Sequence, residues 1–145
     1  MDLGLKKKVA LVLGSSQGLG KSVAQGLARE GAKIIICGRN EATLKAAAEE
    51  ISEETGAEIL SVQCDLSVTA ERESLVNSAL EKWGRIDILV TNTGGPPTGK
   101  FEQFELNDWE EVFNQLFISA VDVIRRVLPG MKERGNGRIL TITSI

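Results

Sequence analysis

Short apolar runs alternate along this chain with stretches in which apolar residues recur every three or four positions. Residues 9–13 are all apolar. They break on Gly14-Ser15-Ser16-Gln17-Gly18-Leu19-Gly20, after which Val23, Ala24, Leu27 and Ala28 mark a helix. Residues 33–37 form a β-branched run, closed by Gly38-Arg39-Asn40, and Leu44, Ala47, Ala48 and Ile51 carry a second helix that stops at Gly56. Residues 58–63 predict a third strand, ending at Cys64-Asp65-Leu66-Ser67. Ser67 or Thr69 suits the cap of a third helix, which carries Leu75, Val76, Ala79, Leu80 and Trp83 and ends at Gly84. Residues 86–90 predict a fourth strand, running into Thr91-Asn92-Thr93-Gly94-Gly95-Pro96-Pro97. Asn107 or Asp108, each with a glutamate three residues on, predicts the start of a long helix. Its apolar positions run from Trp109 to Met131, with a second stripe at Phe117, Val121 and Leu128, and Pro129-Gly130 predicts a bend or frayed end. Residues 138–142 predict a fifth strand.

Runs that are apolar on both faces suit parallel strands covered by helices. Strands alternating with helices long enough to cross over predict one α/β layer structure with helices on both sides of the sheet. A ligand then belongs at the carboxyl ends of the strands. Those ends fall at Gly14, Arg39, Asp65, Asn92 and Ser144, all polar or glycine after apolar runs.

The glycine turn indicates the ligand class. Glycine lets backbone N–H groups approach a phosphate closely, and the following helix N-terminus adds partial positive charge and free donors. The spacing is G-x-x-x-G-x-G, not the more widespread G-x-G-x-x-G. Gly20-Lys21-Ser22 resembles the end of an ATPase phosphate loop, but that motif needs glycine at position 15, where this chain has Ser15.

A length of 145 residues is enough for one domain with a sizeable core. A net charge of −3 argues against nucleic acid as the main partner. Lys6-Lys7-Lys8 precedes an apolar run too short for a signal segment, and no run approaches the roughly 20 residues of a membrane span. Cys37 and Cys64 sit in apolar runs and read as buried thiols of a cytoplasmic protein. The chain has no histidine and no tyrosine, and no metal site is expected.

In these motifs the chain resembles the short-chain dehydrogenase/reductase family, particularly its 3-oxoacyl-carrier-protein reductase-like members. Residues 14–20 resemble the family's T-G-x-x-x-G-x-G, with Leu13 where threonine is usual. Asp65 in Cys-Asp-Leu-Ser resembles the aspartate that contacts adenine, and Thr91-Asn92-Thr93-Gly94 resembles N-N-A-G. Residues 137–144 resemble the strand that delivers the active-site serine. The resemblance implies a Rossmann-like doubly wound sheet in the order 3-2-1-4-5, with residues 1–145 as one NAD(P)-binding domain. It implies cofactor contacts from Gly14, Ser15, Ser16, Gln17, Gly18, Leu19, Gly20, Arg39, Asn40, Asp65, Leu66, Asn92, Thr93 and Gly94, and a catalytic role for Ser144. Each polar member also has a plainer reading: Asp65 as a turn cap, Asn92 as a turn residue, Ser144 as a polar strand end and Arg39 as a solvated charge.

The implied reaction passes hydride between a nicotinamide and a carbonyl, alcohol or acyl substrate. NADP is expected over NAD, because Gly38 occupies the family's acidic position and Arg39 follows it. Two departures stand against this. Counting seven residues on from Trp109 to the family's catalytic asparagine reaches Leu116, and Asn114 lies about 200° around a regular helix from it. The family's Tyr-x-x-x-Lys pair lies beyond the serine strand, and no tyrosine is present. A nucleotide-binding sensor or scaffold of the same fold is therefore the alternative. The chain is also expected to be the N-terminal part of a longer protein, inactive alone, with a bare edge strand. The long helix after Asp108 is expected to join copies into a dimer or tetramer.

Overall fold

The computed structural model describes residues 1–143. Strands β1 (Val9–Val12), β2 (Lys33–Gly38), β3 (Ile59–Gln63), β4 (Ile88–Thr91) and β5 (Arg138–Thr141) form one parallel sheet in the order β3-β2-β1-β4-β5. Leu11, at the centre, lies opposite Ile35 on one side and Leu89 on the other. Helices α1 (Gly18–Arg29), α2 (Glu41–Thr55) and α3 (Thr69–Trp83) follow the first three strands. After β4 come a short 3₁₀ turn (Phe101–Gln103), α4 (Leu106–Phe113), a π turn (Asn114–Ile118) and α5 (Ser119–Glu133). This is the parallel sheet covered by helices that the alternation of patterns predicts, in the Rossmann-like doubly wound order that the resemblance implies.

Because side chains alternate along a strand, each central strand feeds two cores. Val9, Leu11, Ile35, Cys37 and Leu89 pack with Leu75, Val76 and Ala79 of α3 and with Val123, Val127 and Met131 of α5. Ala10, Val12, Ile34, Ile36, Ile88 and Val90 pack with Ala24 and Ala28 of α1 and with Leu44, Ala47 and Ile51 of α2. Each large aliphatic side chain fully buried in this way contributes about 1.5–3 kcal/mol.

The helix starts differ from the sequence expectation in two places. The residue capping α3 is Val68, which has no side-chain bond to offer; Ser67 instead donates its N–H and hydroxyl to Asp65, and Thr69 lies inside the helix. Helix α4 begins earlier than expected. Glu105 caps it, exchanging bonds with Asp108, while Asn107 pairs with Glu111 one turn on. Nor does Pro129 end α5, which runs on to Glu133. The proline is on the exposed side of the helix. The apolar stripe of the long helix divides: Val123, Val127 and Met131 are buried, whereas Trp109, Phe113 and Phe117 are about half exposed.

Two sets of contacts lock the central strands. At their amino ends, Asp87 accepts the Val9 N–H at 2.9 Å and a forked pair of bonds from Arg85, with Arg134 nearby. Its side chain is 2% exposed. Burial pushes its carboxyl up, but Arg85 and the Val9 N–H outweigh this and hold it below the usual carboxylate range. At the carboxyl ends, Gly14 (φ +56) and Gly20 close on Asn92, whose Nδ2 donates to Gly14 O at 3.0 Å. A Cβ on Gly20 would fall 2.2 Å from Gly14 O and 2.7 Å from Asn92 Nδ2. A Cβ on Gly18 would meet nothing, but its φ of +58 is one that other residues resist.

Gly20→Ala is therefore expected to lower stability by about 1–3 kcal/mol through overpacking, and Gly18→Ala by about 1 kcal/mol through backbone strain alone, both read by urea unfolding. A carboxylate whose folded pKa is depressed adds stability that is present above the unfolded value of about 3.9 and is lost as pH falls through the folded value. Stability is thus expected to fall as the pH drops below about 4. Asp87→Asn should remove about 2 kcal/mol at neutral pH and make that acid slope shallower.

Candidate functional site

The strand order reverses between β1 and β4, and a cleft opens there along the carboxyl ends of the strands. Gly14, Ser16 and Gln17 of the glycine turn line it. So do Gly38 and Arg39 at the end of β2, residues 64–67 after β3, Asn92, Thr93 and Gly94 after β4, and Gln115 of the π turn. Four strand ends and one helical turn thus converge on one cleft.

Gln17, in extended conformation, leads into α1 without a side-chain cap, and the first turn of that helix carries no acid. Its opening N–H groups and positive dipole end suit an anion. Ser16 and Gly38 meet closely. A Cβ on Gly38 would fall 2.8 Å from Ser16 Oγ and 2.9 Å from Ser16 Cβ, so a side chain at position 38 requires Ser16 to shift. Arg39 is exposed on the rim, its carbonyl held by Gln63 Nε2 at 2.9 Å.

Asp65 Oδ1 accepts the Ser67 hydroxyl at 2.7 Å and the Ser67 N–H at 2.9 Å. These bonds, with the Arg39 charge adding to them, hold its carboxyl below the usual range. Asp65 is thus a turn cap and a cleft residue at once. Cys37 and Cys64 lie beneath the cleft as free, buried thiols. Burial pushes them up to about 12 and about 11, so neither is a nucleophile at neutral pH.

Of the residues expected to bind a cofactor, Gly14, Ser16, Gln17, Arg39, Asp65, Leu66, Asn92, Thr93 and Gly94 line this one cleft. Gly18 and Gly20 shape its backbone. Three others do not line the cleft. Ser15 is fully buried and staples β1 to β2: its N–H goes to Cys37 O, its hydroxyl to Val12 O, and its Oγ accepts the Cys37 N–H. Asn40 caps α2 by accepting the Thr43 N–H at 2.9 Å. Leu19 is 67% exposed in the first turn of α1. Ser144 lies outside the described residues. Leu116, at the position of the family's asparagine, lines an apolar groove with Trp109, Val112, Phe113 and Phe117. Gly38 as a contact residue, Ser67 and Gln115 are additions. Counting at the helical period misses Gln115 because a π turn breaks that period.

A family model described as short chain dehydrogenase matches residues 8–145. The ketoacyl reductase HetN of Nostoc sp. is 32% identical over 141 residues, covering 97% of this chain and 49% of the relative. The uncharacterized oxidoreductase YvrD of Bacillus subtilis is 37% identical over 144 residues, covering 99% and 54%. Among solved structures, L-sorbose reductase from Gluconobacter frateurii, complexed with NADPH and L-sorbose, matches with a TM-score of 0.95 at 34% identity, covering all of this chain and 55% of the other. A metagenomic short-chain oxidoreductase in complex with NADP matches at 0.90 and 29%, covering 97% and 63%. The chain spans about half the length of the curated relatives it matches. The sheet order, the glycine turn locked to Asn92 and the family match over nearly every residue agree, and the chain belongs to the short-chain dehydrogenase family.

Proposed function

We propose that this chain is the cofactor half of an NADP(H)-dependent short-chain dehydrogenase/reductase acting on a carbonyl or alcohol, with 3-oxoacyl thioesters as the first class to test. The observation that carries the cofactor choice is the Ser16–Gly38 contact beside the exposed Arg39. An acid that grips the ribose hydroxyls of NAD is absent at position 38, where Ser16 crowds any side chain, and a guanidinium on the rim suits a 2′-phosphate. NADPH-bound relatives of the same fold support this reading.

When bound, the cofactor supplies or takes up the hydride at C4 of its nicotinamide. The chain's own residues bind and orient. The open N-terminus of α1 receives the pyrophosphate, Arg39 pairs with the 2′-phosphate, and Asp65 and Leu66 meet the adenine side. Ser144 is assigned a hydrogen bond to the reacting oxygen, which strengthens as charge develops there. No tyrosine or histidine stands in the 145 residues to deliver the proton, so this stretch alone is proposed to bind cofactor as one domain without turnover. The rival reading, a nucleotide sensor, is favoured by Leu116 in place of the asparagine. Loss of absorbance at 340 nm with NADPH and a carbonyl panel, using a chain that carries the downstream segment found in relatives, separates the two.

We also propose a small-molecule substrate, no nucleic-acid or membrane partner, and a cytoplasmic location, consistent with two buried free thiols. Among the described residues no helix is long and apolar enough to cross a membrane. Self-association is proposed through the long helix. There Phe113 and Phe117 stack with ring centroids 5.0 Å apart while each stays more than half exposed, an apolar patch of the kind that marks an interface.

Titrating the chain with NADPH and NADH by nicotinamide fluorescence tests the cofactor assignment. Arg39→Ala should lose about 1.5–3 kcal/mol of NADPH affinity with NADH nearly unchanged. Equal affinity for both cofactors, indifferent to the substitution, refutes it. Sedimentation velocity tests the interface: Phe113→Glu should shift the protein toward monomer, and an unchanged distribution excludes this face.

A further inference from the structure

We infer that Asn136 is a site of covalent modification. The backbone nitrogen of Gly137 attacks its carboxamide, and the products are aspartate and isoaspartate. The second is the group that an isoaspartyl carboxyl methyltransferase recognises.

Helix α5 ends in a Schellman motif. Gly135 takes the left-handed conformation (φ +63), its N–H donates to Lys132 O at 3.0 Å, and the Asn136 N–H donates to Met131 O at 3.1 Å. Two residues on, the Arg138 N–H bonds Asp87 O at 2.9 Å and opens β5. Between these two anchors the Gly137 N–H has no partner among the described residues. Glycine suits position 137, because a Cβ there would fall 2.5 Å from Sδ of Met131, whose side chain is buried. The attacking nitrogen therefore belongs to a residue with no side chain to hinder its approach. Asn136 itself is exposed, and its carboxamide takes no hydrogen bond among the described residues.

The chain's other asparagines differ on one count or more, and none precedes a glycine. Asn92 Nδ2 is held by Gly14 O, Asn40 Oδ1 by Thr43 and Asn107 Nδ2 by Glu111. Asn77 lies inside α3 and Asn114 in the π turn, where the backbone is helical. Asn136 alone combines an exposed, unbonded carboxamide with a free glycine N–H.

The Gly137 nitrogen gives up its proton to hydroxide and bonds to Asn136 Cγ. The bond from Cγ to Nδ2 breaks, and ammonia leaves with a proton from water. Water then opens the five-membered ring at either carbonyl, so the sum is asparagine plus water giving acid plus ammonia. Arg138, whose Nη1 donates to Gly137 O at 2.8 Å, favours the amide anion that attacks. Lys132 and Arg138 line one groove with Asn136, so the new carboxylate meets cations there. Isoaspartate does more than add charge. It inserts a methylene into the main chain between the Met131 and Asp87 anchors, and so strains the turn from α5 into β5.

The test ages the folded chain at mildly alkaline and at mildly acidic pH. Peptide mass mapping reads the shift of amide to acid, and isoaspartyl methyltransferase labelling reads isoaspartate. Conversion should be faster at Asn136 than at any other asparagine and should rise with pH. Asn136→Ser should lose the label while keeping the thermal midpoint of the fresh chain. Asn136→Asp, which adds the charge without the methylene, should keep that midpoint too, whereas the labelled fraction of the aged chain should melt lower. Conversion at Asn136 no faster than at Asn77, or a label that persists in Asn136→Ser, overturns the assignment. A labelled fraction that melts with Asn136→Asp overturns the strain assigned to the turn.

Discussion

Everything at the ligand-facing edge of the sheet depends on one close approach of backbone to backbone. Gly20 lies so near Gly14 O and Asn92 Nδ2 that no side chain fits between them. That approach sets the start of α1 directly over the end of β1, and Asn92 ties both to the end of β4. The next residue, Thr93, carries the constraint onward by bonding Leu116 O in the π turn. A chain of short contacts therefore runs from the first glycine turn to the far wall of the cleft. The position of Gln115 relative to Gly14 is fixed by it, although the two are a hundred residues apart in sequence.

Charge sets Arg39 apart from the structural cations. Among the described residues, Arg72, Arg85, Arg126 and Arg134 are all in ion pairs with acids that hold the layers together. Arg72 is nearly buried against Asp122 and joins α3 to α5; burial raises that aspartate, and the two arginines beside it bring it net below the usual range. Arg39 takes part in no such pair. The structural cations are thus neutralised where they stand. A cation without a fixed partner is left at the rim of the cleft, where the uncapped end of α1 also favours an anion.

The sheet was legible because its signals are periodic. Strands apolar on both faces and helices at three-to-four spacing survive local detail, and the cleft residues fall where apolar runs stop. What the sequence misplaced was decided by contacts between distant segments. Ser15 reads as a ligand residue from its place in a glycine turn, but β2 offers it a carbonyl and an N–H that satisfy it inside the sheet. Asn40 sits beside Arg39, yet its side chain is taken by Thr43. Ser67 suits a helix cap by type, but the Asp65 carboxylate is a better acceptor for its hydroxyl and N–H than the helix end is a donor for its Oγ. Gln115 was hidden because a π turn has no strong composition of its own, and counting along a regular helix passes over it.

The Ser16–Gly38 contact has a consequence for how such a site changes over time. The two positions lie on different strand ends and are not neighbours in sequence, yet neither is free to vary alone. An acid introduced at 38 collides with Ser16 before it can meet a ribose. Trimming Ser16 first opens the space but leaves Arg39 in charge of the rim. On the proposed NADP(H) reading, cofactor preference in this chain is an epistatic trait. Its reversal needs an ordered path in which position 16 shrinks before position 38 grows, and the intermediate on that path gains nothing by itself.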